Sequence, residues 1–129
     1  MLVLDTHVLL WTSLESDKLS SAARDAISAE KHSGVLAISD TTIWEIAWMV
    51  EHRRIQVSGT VESFVREITA RLAVKPITPE IAALAARLPS AYPRDPIDRL
   101  IGATAVVEGA YLVTADQRIR DSQVIPTIW

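Results

Sequence analysis

Short apolar runs alternate with longer amphipathic stretches along most of the chain. The runs are bounded by Ser, Thr, Asp or Gly and are rich in Val, Ile and Leu, as buried strands are. The predicted strands cover residues 2–4, 35–39, 74–77, 110–114 and 124–128. The predicted helices cover residues 7–15, 20–33, 40–54, 61–73, 79–88 and 97–108, with a short helix after Asp116. This alternation predicts an α/β domain with a mainly parallel sheet.

Residue types at the segment boundaries refine these limits. Asp40 or Thr41 is expected to cap the third helix, because either side chain can accept a hydrogen bond from a helix N–H group. Gly109 is expected to end the helix before it, since glycine readily takes the left-handed conformation that follows many helices. Pro76 lacks an N–H donor, which predicts that strand 74–77 lies at or near a sheet edge.

Composition narrows the class of protein. The 129 residues, 49% of them hydrophobic, predict one domain spanning residues 1–129 with a substantial core. The absence of cysteine excludes disulfides and thiolate zinc sites and favours a cytoplasmic location. We expect no signal peptide, because the N-terminus has no positively charged region and Asp5 interrupts the first apolar stretch. We expect no membrane span either, because no uncharged apolar run reaches about 18 residues. The net charge of −3 argues against a broadly basic nucleic-acid-binding surface.

Acidic residues lie where the predicted strands end. Asp5 follows the first strand, Asp40 follows the second, and Glu45 lies on the helix after Asp40. Asp116 follows the fourth strand, and Asp98 lies in the first turn of the helix before that strand. Because parallel sheets bind ligands beyond the carboxyl ends of their strands, these positions predict a pocket crowded with negative charge.

Each acid taken alone also has a simpler interpretation. Any of the aspartates can serve as a helix cap, and Asp95 before Pro96 is a particularly good one. Glu45 lies within a helix and cannot cap, but periodicity leaves open whether it faces solvent. As a group, several carboxylates at one edge repel each other, and a divalent cation would remove that cost. An oxygen-only ligand set suits Mg²⁺ or Mn²⁺, which commonly serve phosphoryl chemistry.

Four segments carry a resemblance to a known family. They are LDTHVLLW at 4–11, TTIWEIAW at 41–48, DPIDRLIGATA at 95–105 and LVTAD at 112–116. They occur in the order found in the PIN-domain ribonucleases, and more narrowly they resemble the VapC-type toxins of toxin–antitoxin pairs. The resemblance implies a three-layer α/β/α fold with a central, mainly parallel sheet of about five strands. It also implies a metal-dependent endoribonuclease that inhibits translation and growth.

Carried over by position, the family's acids fall on four residues of this chain. The resemblance implies that Asp5, Glu45, Asp98 and Asp116 are catalytic. Of these, Asp5, Asp98 and Asp116 would hold Mg²⁺ or Mn²⁺, and Glu45 would help orient or deprotonate the attacking water. In-line attack would leave a 5′-phosphate and a 3′-hydroxyl on the cleaved RNA.

Further residues are expected to support this site. Thr6 and Thr114 flank the acids and could hydrogen-bond to a carboxylate, although a turn or cap bond explains them equally well. Asp95 is expected to support Asp98 or to cap its helix. Basic residues near the inferred mouth could hold RNA phosphates, with surface solubility as the alternative. They are Arg94, Arg99 and Arg118.

Partners follow from the resemblance alone. A VapB-type antitoxin would inhibit the protein, which would itself form a homodimer. Trp44 and Trp48, spaced i, i+4, are interpreted either as core residues or as a partner surface.

Other functions remain open at this point. A phospho-receiver-like signalling domain would normally place adjacent acids near the first strand and a lysine late in the chain, and neither occurs here. A haloacid-dehalogenase-like enzyme would need an acid at the position of His7. A non-catalytic RNA-binding protein with an acidic metal site would keep the fold without the chemistry.

Overall fold

The computed structural model describes residues 1–129 and contains a five-stranded, entirely parallel sheet. The strands are β1 (Leu2–Leu4), β2 (Leu36–Ser39), β3 (Ala73–Lys75), β4 (Tyr111–Val113) and β5 (Thr127–Ile128). The helices are α1 (Thr6–Leu14), α2 (Ser21–Ser33), α3 (Asp40–Glu51), α4 (Val61–Thr69), α5 (Pro79–Arg87), α6 (Pro96–Val107) and α7 (Gln117–Ser122). The spatial order of the strands is β3-β2-β1-β4-β5. The predicted α/β class with a parallel sheet of about five strands is therefore confirmed.

The first strand in sequence lies at the centre of the sheet. Val3 pairs with Ala37 on one side and with Leu112 on the other. All three residues of β1 are buried, as expected for a parallel strand covered on both faces. The carboxyl end of β1, where Asp5 follows, consequently lies between the ends of β2 and β4.

Alternation along the strands divides the core into two layers of helices. Leu4 and Ile38 face one side and belong to a cluster that includes Ile46 of α3. Val3 faces the other side and belongs to a cluster that includes Ile101 of α6. Since successive strand residues point to opposite faces, the sheet is sandwiched between helices, which gives three layers.

Most predicted boundaries hold within a few residues. Strand β3 forms an edge of the sheet, as Pro76 indicated. Gly109 has φ 63° and follows the last turn of α6, as expected for a glycine that ends a helix. The helix predicted over 61–73 is shorter, because α4 ends at Thr69 and β3 already begins at Ala73. None of the helices has the length and apolar character needed to cross a membrane.

The predicted cap of α3 is wrong. Ser39, the last residue of β2, caps the helix, and its Oγ accepts a hydrogen bond from the Thr41 N–H at 3.3 Å. Asp40 is instead the first helical residue, and its Oδ2 accepts from the Ile77 N–H at 3.1 Å. Because no loop separates β2 from α3, the cap lies one residue earlier than predicted. The Asp40 side chain is therefore available to hydrogen-bond to the segment after β3.

Candidate active site at the carboxyl edge of the sheet

Asp5 caps a helix and lies in the acidic site at the same time. Its Oδ1 accepts a hydrogen bond from the Thr6 N–H at 2.7 Å, at the N-terminus of α1. Its Oδ2 accepts from the Thr114 hydroxyl at 2.6 Å. The residue is only 9% exposed, and burial raises the pKa of Asp5 against the opposing effect of these two donors. Asp5 therefore has a fixed orientation and a weakened preference for the charged form.

Thr114 connects two of the acids. It is fully buried immediately after β4, where its hydroxyl donates to Asp5 and accepts from the Asp116 N–H at 3.1 Å. A hydroxyl that donates to one acid and accepts from the backbone of another fixes the distance between the ends of β1 and β4. The buried Thr6 hydroxyl donates to the Thr42 hydroxyl at 3.2 Å, and hydrogen bonding to Thr6 also acts on the Glu45 carboxyl, where it lowers the pKa.

The pKa of Asp98 lies well above its ordinary value. Asp98 lies in the first turn of α6, whose cap, Asp95, accepts hydrogen bonds from the Ile97 and Asp98 N–H groups. Burial is the main cause that raises the pKa of Asp98 to about 7. The other causes are the negative charges of Asp5, Asp95, Asp116 and Glu45. These acids are consequently close enough to act on one another.

Glu45 belongs to the same group. Burial raises the pKa of Glu45 against the opposing effect of hydrogen bonding to Thr6, and the charges of Asp5 and Asp95 raise it further. Thr42, fully buried one turn earlier on α3, lies against Thr6 at the start of α1. The helix therefore presents Glu45 toward the acids and not to open solvent.

Asp116 is neutralised by a neighbouring arginine. Its carboxylate caps α7 by accepting from the Arg118 N–H at 2.8 Å. The Arg118 guanidinium donates to both oxygens of Asp116, at 3.3 and 2.8 Å, and its Nη2 lies 3.9 Å from Oδ2 of Asp98. Hydrogen bonding to Arg118 is the main cause that lowers the pKa of Asp116. The guanidinium thus pairs with the carboxylates of Asp98 and Asp116, although the Arg118 side chain remains 72% exposed.

The other two predicted arginines have different surroundings. Arg99 donates from Nη1 to the backbone carbonyls of Ala85 at 2.9 Å and Leu88 at 2.8 Å. Its charge therefore stabilises the C-terminus of α5, which favours a structural role over the predicted contact with RNA. Arg94 is exposed beside Asp95. His7 is also exposed, and its ring centroid lies 6.0 Å from that of Trp11.

The chemistry of the acids fits a hard divalent cation. Every candidate donor is a carboxylate oxygen, and burial and mutual repulsion raise the pKa of Asp98, which is the cost that a cation would relieve. In the structure, no three His, Asp or Glu side chains are close enough together to coordinate one metal ion. Arg118 supplies positive charge to Asp98 and Asp116 instead.

Two residues near the acids were missed by the sequence analysis. Thr42 precedes Glu45 by three residues, so the spacing along the helix could have placed both on one face. Tyr92 is buried and donates its hydroxyl hydrogen to the Asp98 carbonyl oxygen at 3.0 Å. A single aromatic residue in a proline-rich loop gives no sequence signal for such a contact.

Comparisons with known proteins agree with this architecture. The family model for the PIN domain matches residues 2–123. Ribonuclease VapC22 of Mycobacterium tuberculosis (strain ATCC 25618 / H37Rv) is 43% identical over 118 residues, which cover 92% of this chain and 88% of that protein.

Two solved structures show the same fold at low sequence identity. VapBC2 from Rickettsia felis, bound to a DNA fragment from its promoter, matches with a TM-score of 0.75 and 15% identity, covering 98% of this chain and 96% of that chain. A toxin–antitoxin complex from Klebsiella pneumoniae matches with a TM-score of 0.66 and 21% identity, covering 92% and 89%. These two structures agree in fold, and the family model and the VapC22 relative show that the chain belongs to the PIN-domain family, among the VapC ribonucleases.

Proposed function

We propose that this protein is a metal-dependent endoribonuclease and the toxin of a toxin–antitoxin pair, which inhibits translation and growth by hydrolysing RNA phosphodiester bonds. One observation carries the proposal: Asp5, Glu45, Asp98 and Asp116 act on one another at the carboxyl edge of the sheet, and together with burial they raise the pKa of Asp98 to about 7. Identity to a named ribonuclease over most of the chain supports the same chemistry.

We assign metal binding and proton transfer to different acids according to their surroundings. Asp5, Asp98 and Asp116 would hold Mg²⁺ or Mn²⁺, which supplies Lewis acidity and an acidified water when it is bound. Glu45 is half-buried and has a raised pKa, which suits a group that accepts a proton from the attacking water. Thr114 keeps Asp5 oriented through the 2.6 Å hydrogen bond.

Basic side chains beside the acidic site would bind the phosphates of the RNA backbone. Arg118 is exposed and would exchange its contacts with Asp98 and Asp116 for a phosphate oxygen. Arg94 is exposed and precedes Asp95, and it would contact a neighbouring phosphate. The RNA would thus be held by a few basic side chains, since the whole chain carries a net charge of −3.

The proposal includes two protein partners. A VapB-type antitoxin is supported by structural neighbours that are VapBC or toxin–antitoxin complexes. A homodimer is supported by Trp44 and Trp48, which remain 59% and 38% exposed on one face of α3. Such large apolar side chains favour burial against a second chain. A cytoplasmic location also belongs to this proposal.

The test is cleavage of a labelled single-stranded RNA by the purified protein with Mg²⁺, with Mn²⁺ and with EDTA. We expect cleavage only with a metal, and products with 5′-phosphate and 3′-hydroxyl ends. Asp98→Asn should reduce kcat by at least about a hundredfold, because it removes a charged oxygen from the reacting centre. The matched control is Asp25→Asn, which removes an exposed carboxylate on α2. A 2′,3′-cyclic phosphate product, or equal RNA binding without cleavage, would overturn the proposal.

Growth provides a second readout. Expression of the wild-type chain in a bacterium should arrest growth and fragment RNA, whereas Asp98→Asn should do neither. Co-expression of an antitoxin should restore growth. Equal growth of both strains, with folded protein in each, would mean that the chain keeps the fold without the activity.

A further inference from the structure

Tyr92 is the largest fully buried side chain of the protein, and it comes from the loop that connects α5 to α6. Its ring enters the core beside Ile101 and Leu112, and its hydroxyl donates to the carbonyl oxygen of Asp98 at 3.0 Å. A buried tyrosine needs a partner for its hydroxyl, and here that partner is the backbone of a residue in the acidic site. We infer that Tyr92 is a positioning residue that sets the place of Asp98; this inference rests on the proposed function.

Gly102 provides the space that the tyrosine requires. A Cβ atom added at this position would lie 2.3 Å from Oη and 2.8 Å from Cζ of Tyr92. Glycine within a helix costs about 1 kcal/mol relative to alanine, so its presence in α6 calls for a packing reason. Since the N–H of residue 102 points at the carbonyl of residue 98 in an α-helix, Tyr92 and Gly102 meet at the same oxygen.

A second contact fastens the same loop to the same turn of α6. Arg99, next to Asp98, donates to the carbonyls of Ala85 and Leu88 at the C-terminus of α5. The Tyr92 N–H bonds back to the Pro89 carbonyl at 3.0 Å and so closes the loop on itself. The loop is consequently anchored to α6 at Asp98 and at the next residue, Arg99.

This arrangement assigns Tyr92 no direct part in the reaction. Its hydroxyl faces a backbone carbonyl and is buried beneath the helix, so it does not reach an RNA phosphate. Tyr92 instead fixes the position of the first turn of α6. This position sets the distance from the Asp98 carboxylate to the carboxylates of Asp5 and Asp116. A shift of this turn would separate the oxygens that must meet at one cation.

The test is Tyr92→Phe, which removes one oxygen atom and keeps the ring in the core. We expect a folded protein whose affinity for Mn²⁺ alone, measured by calorimetry, falls roughly tenfold. We also expect kcat to fall while KM for RNA stays unchanged. Tyr111→Phe is the matched control, because Tyr111 is the only other tyrosine and is 53% exposed. A variant that loses thermal stability but keeps the Mn²⁺ affinity and kcat of the wild type would overturn the inference.

A double-mutant cycle tests the fit between Tyr92 and Gly102. Gly102→Ala should weaken Mn²⁺ binding, because the new Cβ displaces the tyrosine. In the presence of Tyr92→Phe the same change should do less harm, since the closest contact, with Oη, is gone. Strictly additive effects would overturn the inference. A wild-type protein that neither binds Mn²⁺ nor cleaves RNA would overturn the proposed function as well, which separates the two failures.

Discussion

At the residue scale, one carboxylate carries out two tasks. The Asp5 oxygens are divided between the N-terminus of α1 and the Thr114 hydroxyl, so capping and a role in the acidic site are compatible in a single side chain. The same holds for Asp116, which caps α7 and accepts the Arg118 guanidinium. Helix caps at the carboxyl ends of strands therefore place carboxylates at the site without a separate structural element.

The pKa of Asp98 predicts how stability depends on pH without metal. Folding raises this pKa from 3.8 to about 7, so between those values the folded protein holds a proton that the unfolded chain has released. The free energy of unfolding should thus fall as the pH rises through this interval, by on the order of 4 kcal/mol. Asp98→Asn should flatten this dependence, which urea unfolding in EDTA at a series of pH values would measure.

Added Mn²⁺ provides the control for that experiment. It should restore the stability of the wild-type protein above pH 7, because the cation stabilises the ionised carboxylates. The Asn variant should respond much less. Identical pH profiles for the two proteins in EDTA would contradict the raised pKa.

Thr114→Val tests the hydrogen bond to Asp5 with little change in shape. The variant should lose roughly 2 kcal/mol of stability, because a buried carboxylate oxygen loses its donor. The pKa of Asp5 should rise further, so activity should need a higher pH. The matched control is Thr12→Val, whose hydroxyl only donates to the Val8 carbonyl of its own helix. A shift in the pH profile of the Thr12 variant equal to that of the Thr114 variant would argue against this role.

At the element scale, helix starts determine where the acids lie. Helix α6 begins with Asp95 as cap and Pro96 in its first turn, which fixes both the phase of the helix and the direction of Asp98. Helix α3 begins directly on β2 through Ser39, and this start determines that Glu45 faces Asp5. A cap displaced by one residue would rotate the following acid by about 100°.

Two substitutions at Asp95 separate its cap from its charge. Asp95→Asn should keep the hydrogen bonds to the Ile97 and Asp98 N–H groups, whereas Asp95→Ala should lose them and about 1 kcal/mol of stability. Both changes remove a negative charge near Asp98 and should lower its pKa. Thermal unfolding and NMR titration of Asp98 would measure the two effects. Equal stabilities of the two variants would show that the cap contributes little.

At the scale of the whole molecule, the sheet order brings together residues from distant parts of the chain. Because β1 lies between β2 and β4, Asp5 meets Glu45 on one side and Thr114 on the other, the latter 109 residues away in sequence. The tyrosine and arginine contacts around α6 then tie the α5–α6 loop to the same site.

The exposed face of α3 tests the proposed homodimer. Trp44→Glu places a charge at the most exposed tryptophan of this face and should shift the protein from dimer to monomer in sedimentation velocity. Leu14→Glu, at a 50% exposed leucine on α1, is the control and should leave the dimer intact. A wild-type protein that sediments as a monomer at every concentration would rule the dimer out.

The sequence by itself determined the alternation of strands and helices, the edge position of β3 and the presence of acidic residues where the strands end. These depend on local periodicity, on Pro76 and on short motifs, all of which are legible within a few residues. Only the tertiary structure decided that Ser39 caps α3, that Arg118 covers Asp98 and Asp116, and that Thr114 and Tyr92 hold the acids in place. The Thr114–Asp5 contact joins residues whose proximity is set by strand order. The Tyr92 contact depends on how its loop packs into the core, and the Ser39 and Arg118 contacts depend on how a strand end and a helix start meet, so local propensity specifies none of them.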